Sequence, residues 1–349
     1  MIDHRVTAIR SDSQSTMFPT SIGAALVEGV PVDDVTLDET LSVIEAFVTE
    51  GRASGRTFQV ATINVDFVVK ATRDAALLSI LQSADLCLAD GMPVVWHAKL
   101  GGVALRERVA GADLVPKLVD RSRESGWRVL LFGSKDGVAE TAAGVLLERF
   151  PGAHVRGIGG PIMSDVRTMD QLWIDQIESF KPDIVCVALG NPKQERWIAE
   201  HRSKLSASVL IGVGGTLDIL VGDRRRAPAW MQRRGLEWLY RAAQEPKRLG
   251  VRYVRDAFAF APHITRAAVE RAASRRRHPS SLSATPDNRD NVLVVDLAGD
   301  ALTRADITHL VGIARSADRT GGHLRLNGCS PGVARQFERL GIHKLFEYA

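Results

Sequence analysis

Four groups of polar residues in this chain have the types and spacing that chemistry requires. A carboxylate at the end of a strand can take a proton from a hydroxyl, and an arginine can pair with phosphate oxygens. Loops that contain glycine let a phosphate approach backbone amides. The four groups are Thr62-Ile-Asn64-Val-Asp66, Ala84-Asp85 with Asp90-Gly91-Met-Pro-Val-Val-Trp96, Arg106-Glu-Arg108-Val-Ala-Gly111-Ala-Asp113, and Gly190-Asn-Pro-Lys-Gln-Glu195.

Each group also has a purely structural interpretation. Asp90-Gly91 is a common turn sequence, and Thr62 and Asn64 can cap the helix that follows them. Arg108 can be a surface arginine, and Asn191-Pro-Lys can begin a helix without binding anything. Taken singly, no group distinguishes a catalytic role from a structural one.

The segments around these groups alternate between short apolar strands and helices. After a short apolar stretch at Ala24–Val27, strands are predicted at Thr57–Ile63, Ala84–Ala89, Arg128–Phe132, Ala153–Ile158, Asp183–Leu189 and Ser208–Val213. Helices are predicted at Leu37–Val48, Asp66–Leu81, Val138–Phe150, Met169–Phe180 and from Gly190 to Lys204. This alternation predicts crossover connections, and therefore an α/β fold with a mainly parallel, Rossmann-like sheet.

In such a sheet, ligands lie beyond the carboxyl ends of the strands. The loops after Phe132, Leu189 and Val213 are polar and contain glycine, as a nucleotide site requires. The nucleotide-binding candidates in and after these loops are Gly133, Ser134, Gly190, Asn191, Gly214, Gly215 and Asp218.

Composition narrows the class of protein further. The net charge is +4, hydrophobic residues make up 45% of the chain, and the three cysteines are far apart without a CxxC pair. No D-x-D triplet occurs, which favours charge stabilisation by arginine without a divalent metal ion. No cofactor is expected. We find no apolar signal segment and no run of about 18 apolar residues, which predicts a cytoplasmic protein.

Basic and aromatic residues are concentrated in one segment that follows the predicted sheet. Between Arg224 and Arg277, basic residues outnumber acidic ones by roughly four to one, which predicts attraction to anionic lipid or phosphate. Tryptophan and tyrosine suit the headgroup layer of a membrane. The alternative is an ordinary helical hairpin with its apolar side in the core. Nucleic acid is a disfavoured partner because no nucleic-acid-binding signature accompanies the charge.

Together, in this order and spacing, the motifs resemble the WecG/TagA/CpsF family of glycosyltransferases over residues 20 to 262. The first marks are T-x-N-x-D, A-D…D-G-x-P-V-V-W and R-V-x-G-x-D. The later marks are V-A-L-G-x-P-K-Q-E, G-V-G-G-T-x-D at Gly212–Asp218, Arg226-Ala-Pro228, Gly235-Leu-Glu-Trp-Leu-Tyr-Arg241 and Glu245-Pro-Lys-Arg248.

The resemblance implies a reaction and the residues that perform it. A sugar of N-acetylmannosamine, N-acetylmannosaminuronic acid or glucose type would pass from a UDP-sugar to a polyprenyl-diphosphate-linked saccharide, with inversion and without a metal, in cell-surface glycan synthesis. Asp90 would be the catalytic base, Thr62 and Asn64 would lie beside it, and Arg108 and Gln194 would contact the ligands. The basic segment would hold the enzyme at the inner face of the cell membrane, and its arginines would complete the site: Arg233, Arg241, Arg248 and Arg252.

The end of the chain resembles the second half of a STAS domain, a small α/β module. Its marks are V-x-D-L-x-G at Val294–Gly299, L-R-L-N-G-C-S at Leu324–Ser330 and R-L-G-I-x-K-L-F at Arg339–Phe346. The module's first strands and its phosphorylated Asp-Ser pair have no counterpart here. We therefore interpret the tail as a docking module for a protein partner, or as a degenerate remnant.

These observations divide the chain into five parts. They are a disordered start (1–20), a glycosyltransferase domain (21–226), a basic helical appendage (227–273), a linker (274–290) and the partial STAS-like domain (291–349). Two alternatives to a transferase stay open. One is another Rossmann-type nucleotide-binding enzyme, which the missing G-x-G-x-x-G disfavours. The other is a STAS-bearing scaffold with an inactive transferase domain.

Overall fold

Short apolar segments form two main sheets in a computed structural model of the chain. The structure describes residues 22–159, 171–222, 227–228, 230–231, 237–244, 251–274, 282, 284–287, 292–297, 299–319 and 321–348. The first strands are β1 (Ala24–Val27), β2 (Val30–Asp33), β3 (Phe58–Ile63), β4 (Leu86–Ala89), β5 (Val129–Gly133), β6 (Val155–Ile158), β7 (Ile184–Ala188) and β8 (Val209–Gly212). The helices between them are α1 (Leu37–Ser54), α2 (Val65–Ala71), α3 (Ala75–Gln82), α4 (Met92–Leu100), α5 (Gly111–Ser125), α6 (Val138–Arg149), α7 (Gln171–Phe180) and α8 (Lys193–His201), with α9 (Thr216–Leu220) after β8.

Six of these strands form one sheet in the order β4-β3-β8-β7-β5-β6, and every pair is parallel. Strands β3, β4, β5, β7 and β8 are buried along their whole length. Helices cover both faces of a parallel sheet, which is why its strands have continuous apolar sequences. The predicted Rossmann-like α/β fold is confirmed.

Local capping residues set the helix boundaries. Thr36 begins α1 with a capping box, because its hydroxyl accepts from Glu39 N while the Glu39 carboxylate accepts from Thr36 N. The single helix predicted over Asp66–Leu81 is wrong. Helix α2 ends at Ala71, and the Asp74 carboxylate accepts from Leu77 N to begin α3 as a separate helix.

Strands β1 and β2 form an antiparallel hairpin whose second strand was not predicted from the sequence. The two residues between the strands, Glu28 and Gly29, have φ values of 50° and 84°. Positive φ at both central positions is the geometry of a type I′ turn, which joins twisted strands tightly. The hairpin lies against the edge strand β4, where Cys87 N donates to Asp33 Oδ2 at 2.7 Å.

The appendage contains two described helices, α10 (Glu237–Gln244) and α11 (Val251–Ser274). Helix α11 packs against α2 and α4, and Phe260 is buried there beside His97. The packing of α11 agrees with the alternative interpretation, in which the appendage is an ordinary helical segment with its apolar side in the core. Arg233 and Arg248 lie outside the described residues, and so do the side chains of Arg241 and Arg252. Within the described ranges, every helix is too short or too polar to cross a bilayer.

The tail forms a second, four-stranded sheet in the order β12-β11-β10-β9. Its elements are β9 (Ala284–Asp287), β10 (Val292–Asp296), α12 (Arg304–Arg319), β11 (His323–Asn327), α13 (Pro331–Arg339), a 3₁₀ helix (His343–Leu345) and β12 (Glu347–Tyr348). The linker prediction for 274–290 is wrong over β9, which pairs antiparallel with β10. The proline and charged residues of this segment suggested a linker. Strand β9 is at the edge of the sheet, however, and a proline such as Pro286 is tolerated there because its missing N–H is not needed for strand pairing.

The tail packs directly on the β1–β2 hairpin. Helix α12 lies against β1, and Leu26 of β1 belongs to the same apolar cluster as Leu310 and Leu326 of the tail. Two arginines of α12 reach across to a single buried carboxylate. Arg315 Nη2 lies 2.7 Å from Asp33 Oδ2, and Arg319 Nη2 lies 2.6 Å from Asp33 Oδ1. The tail therefore shares both an apolar core and buried ion pairs with the first unit.

Candidate active site

The register of the central sheet brings the predicted site residues to one edge. Ile63 is aligned with Ala89, Gly133 with Ala188, and Val187 with Gly212. The strands are parallel, so the residues that follow these positions lie side by side beyond their carboxyl ends. They are Asn64, Asp90, Ser134, Gly190 and Gly214. Ligands of open α/β sheets bind in this position.

Asp90 lies directly after β4 at this edge. Its backbone N donates to Ile63 O at 2.8 Å, which fixes it beside the end of β3. The residue is half-buried, and α4 begins two positions later. A half-buried carboxylate held at a strand end can accept a proton from the hydroxyl group of a bound substrate.

Thr62 and Asn64 have local structural partners. The Asn64 side chain caps α2, since its Oδ1 accepts from Phe67 N at 3.4 Å. The capping interpretation is therefore correct for Asn64. It is wrong for Thr62, whose buried hydroxyl donates to Gly212 O at 2.7 Å and ties β3 to β8. The Thr62 hydroxyl is positioned to hold the sheet beneath the site.

Gln194 holds two of the glycine loops together. Its Oε1 accepts from Gly190 N at 3.2 Å and from Gly214 N at 3.0 Å, and its side chain is fully buried. Its Nε2 donates to Glu195 Oε1 at 2.7 Å. A Cβ on Gly212 would lie 2.5 Å from Gln194 Nε2, so glycine is required for this close approach. The two loop amides are thus used within the protein.

Glu195 has a buried carboxyl group. In the sequence analysis this residue appears only as the last member of the Gly190-Asn-Pro-Lys-Gln-Glu195 group, without a role of its own. Removal from water raises its pKa from 4.5 to about 8. Its Oε2 is buried and has no hydrogen-bond partner among the described residues. Glu195 therefore favours the neutral form next to Gln194. No signal in the sequence indicated that this acidic residue would be buried behind the loops.

Asn191 belongs to a polar network with α2. Asn191 Nδ2 donates to Asp66 Oδ2 at 3.1 Å, while Lys70 Nζ donates to Asp66 Oδ2 and to Asn191 O, both at 2.8 Å. Sequence reasoning singled out Asn191 and missed Lys70. The available signal was the spacing of Asp66 and Lys70, four apart on one helix, which places them on one face.

The loop after β5 is joined to α9, the helix that follows β8. Ser134 Oγ donates to Asp218 Oδ1 at 3.1 Å, and Ser134 N donates to Ala188 O at 2.9 Å. Gly133 takes φ 96°, and Gly215 lies immediately before α9. The nucleotide-binding candidates are thus linked to one another across three neighbouring strand ends.

Arg108 connects the edge to the appendage. Its Nη2 lies 3.2 Å from Asp113 Oδ2, and its Nη1 lies 3.4 Å from Glu237 Oε2 at the start of α10. The Arg108 side chain is 16% exposed. The site therefore combines a carboxylate, an arginine and glycine loops along one sheet edge, with the appendage beside it.

Comparison with known proteins identifies the class to which this fold and site belong. The sequence model of the Glycosyl transferase WecG/TagA/CpsF family matches residues 25–274, which include the sheet, the site and α11. This chain belongs to that family and is a glycosyltransferase.

Two curated relatives of this chain are named for the same enzymatic activity. The chain is 31% identical over 225 residues to the N-acetylglucosaminyldiphosphoundecaprenol N-acetyl-beta-D-mannosaminyltransferase of Staphylococcus aureus strain MRSA252. The match covers 64% of this chain and 85% of the relative. The enzyme of the same name from strain NCTC 8325 matches with the same identity and coverage.

Proposed function

We propose that this protein transfers N-acetylmannosamine from a UDP-sugar to N-acetylglucosamine linked to a polyprenyl diphosphate, in cell-surface glycan synthesis. The observation that carries the proposal is the position of Asp90 and Asn64 at the sheet edge, beside the glycine loops. The names of the relatives support the identity of the sugar and of the lipid-linked acceptor.

The reaction we propose is a single displacement with inversion. Asp90 takes the proton of the acceptor hydroxyl as that oxygen attacks the anomeric carbon. The new C–O bond forms while the bond from the anomeric carbon to the diphosphate oxygen breaks, and UDP leaves. A general base of this kind contributes about 10²–10⁴-fold to the rate. The setting of Asp90 supports this role, because its backbone is held at the strand end and the residue is only half-buried.

The leaving diphosphate needs positive charge, and Arg108 supplies it in our proposal. A guanidinium can exchange a carboxylate for phosphate oxygens with similar fork geometry. Arg108 contacts both Asp113 and Glu237, so binding of the diphosphate would reorganise its link to α10. We propose that no divalent metal takes part, with the arginine carrying out charge stabilisation.

We also propose that the appendage touches the membrane that carries the acceptor. Three apolar residues of the appendage are exposed, namely Phe258 (78%), Trp230 (52%) and Leu239 (47%). Each basic residue near an anionic surface adds about 1 kcal/mol of attraction. Sedimentation with vesicles that contain anionic lipid tests this point: Phe258→Ser should reduce the bound fraction. Binding equal to that of the parent chain would contradict a membrane role for this residue.

The transferase proposal is tested by UDP release from the purified full chain. The donors would be UDP-linked N-acetylmannosamine, N-acetylmannosaminuronic acid and glucose. The acceptor would be a short-chain prenyl-diphosphate N-acetylglucosamine, with EDTA present or absent. We expect release with the N-acetylmannosamine donor, dependent on the acceptor and unchanged by EDTA.

Each arm of this experiment can fail separately. Release that stops in EDTA would contradict the metal-independent mechanism and leave the transferase assignment intact. Release with a different donor would correct the sugar. If no donor supports release while the protein remains folded, the proposed substrates are wrong.

A further inference from the structure

A cleft of about 500 Å³ lies where the tail meets the first unit. One wall contains Arg56, Asp85 and Arg202, and the other is formed by α12, β11 and the 3₁₀ helix of the tail. Asp85 immediately precedes β4, and Arg56 lies shortly before β3, so the cleft is at the amino ends of these strands. It is therefore separated by the length of the strands from the proposed transferase site.

The charges beside the cleft are unbalanced. We call the following six residues the junction cluster: Asp33, Asp85, Arg56, Arg202, Arg315 and Arg319. Both carboxylates have side chains that are at most 1% exposed, and each carries two arginines. Four guanidinium groups thus face two carboxylates, which leaves two positive charges without a partner of opposite sign inside the cluster.

Several donors of this region remain available. Arg56 and Arg202 keep 33% and 28% of their side chains exposed while lining the cleft. Lys344 is exposed on the 3₁₀ helix, lines the same cleft and forms no ion pair within the described part of the chain.

Acidic groups at the cleft do not cancel this excess. Asp318 is exposed at the rim, and Glu347 already lies 3.3 Å from Arg325. With Lys344 added and Asp318 subtracted, two positive charges remain, which favours a phosphate-bearing anion. Arginine forks bind phosphate oxygens in pairs, and such charge-assisted hydrogen bonds are about twice as strong as neutral ones.

We propose that this cleft is a second binding site, which takes a small phosphate-bearing anion and holds it between Arg56 and Arg202 on one wall and Lys344 on the other. The bound anion bridges the first unit and the tail. It therefore stabilises the docked tail, as any ligand does that binds only the folded arrangement.

The test is calorimetric titration of the full chain with pyrophosphate, at an ionic strength matched with sodium chloride. We expect a saturable site that depends on Lys344, with a Kd below about 1 mM. Lys344→Gln removes an exposed cation without disturbing the buried pairs and should weaken binding about tenfold, as loss of one charge-assisted contact predicts. Arg202→Gln should weaken binding by at least that factor.

Two control variants separate this site from the rest of the molecule. Lys117→Gln removes an exposed lysine of α5 that is absent from the lining of the cleft. Arg108→Ala removes the cation of the proposed transferase site. We expect Lys117→Gln to bind pyrophosphate as the parent chain does. In Arg108→Ala, any binding at the proposed transferase site is removed, and we expect the Lys344-dependent binding to remain. Because the titration needs no turnover, failure of the transferase proposal would leave this result unaffected.

Three results would overturn the proposal. They are the absence of saturable binding, binding that is unchanged in both Lys344→Gln and Arg202→Gln, and binding that is lost in Arg108→Ala. ADP in place of pyrophosphate distinguishes the source of the phosphates. If ADP binds more tightly than pyrophosphate and its binding also depends on Lys344, the ligand of the cleft is a nucleotide. If the two bind equally, the cleft recognises the polyphosphate alone.

Discussion

The two ends of the central sheet use carboxylates in opposite ways. At the carboxyl ends of the strands, Asp90 is half-buried. At the amino ends, Asp33 is buried between Arg315 and Arg319. Burial alone would raise the pKa of Asp33, but the two guanidinium groups lower it from 3.8 to about 2. One end is where we propose that ligands bind, and the other holds two parts of the chain together.

The largest effect on stability is expected at Asp33, at the amino ends of the strands. Asp33→Ala leaves Arg315 and Arg319 buried without their carboxylate, and removal of one partner of a buried pair costs about 3–5 kcal/mol. Urea unfolding at pH 7 measures this as a lowered free energy of unfolding. A loss below about 1 kcal/mol would show that Asp33 contributes no more than a surface group. It would also remove the contrast between the two ends of the sheet.

Acid should weaken the same junction. The folded-state pKa of Asp33 is depressed, so its contribution is present above the unfolded value of 3.8 and is lost as the pH falls towards 2. The parent chain should therefore lose stability in this range more steeply than Asp33→Ala. Parallel pH profiles for the two proteins would contradict the assignment.

A pH effect on stability of opposite sign is expected at the carboxyl ends of the strands, beside the proposed transferase site. The folded-state pKa of Glu195 is raised to about 8, so the folded state retains a proton that the unfolded state releases above 4.5. Parent stability should therefore decline between pH 4.5 and 8, by at most about 1.4 kcal/mol per pH unit from this group. Glu195→Gln has no proton to lose, so its stability relative to the parent should rise across that window. A constant difference between the two proteins would contradict a neutral Glu195.

A smaller loss of stability is expected from Gln194→Ala. The change leaves the part-buried Gly190 N and Gly214 N without their shared acceptor. An unsatisfied donor costs about 1–3 kcal/mol when it is fully buried, so we expect a loss at the lower end of that range. If Gln194 acts by holding the loops, the apparent KM for the nucleotide donor should rise with the loss of loop order. An unchanged free energy of unfolding would indicate that Gln194 acts only through direct contact with a ligand.

The smallest effect is expected at an exposed ion pair that serves as the matched control for Asp33. Arg121 Nη2 lies 2.5 Å from Glu45 Oε2, and both side chains are at least 40% exposed. Arg121→Ala should change the free energy of unfolding by about 0–1 kcal/mol. A loss as large as that of Asp33→Ala would show that burial is not what separates the two kinds of pair.

Patterns that depend on local sequence were predictable. Apolar runs located the strands of the central sheet, and parallel connectivity implied that Asp90, Gly190 and Gly214 would meet at one edge. The family motifs named Arg108 and Gln194. Capping by Asn64 was an open alternative that the structure confirms.

Features that depend on distant contacts were not predictable. Glu195 and Asp33 look like surface acids in the sequence, and only packing shows that one is isolated from water and the other is paired. The burial of Arg315 and Arg319 required knowing where the tail docks. Strand β9 was missed because proline and charged residues are typical of linkers as well as of edge strands.

The proposed role of Asp90 as the base is tested by single-turnover transfer from UDP-N-acetylmannosamine to the prenyl-diphosphate acceptor. We predict that Asp90→Asn lowers the rate by about 10²–10⁴-fold, with UDP affinity and Tm close to those of the parent. Asp120→Asn, which changes a partly exposed carboxylate on α5, should retain the parent rate. An Asp90→Asn protein that transfers the sugar as fast as the parent would contradict the proposed role of Asp90.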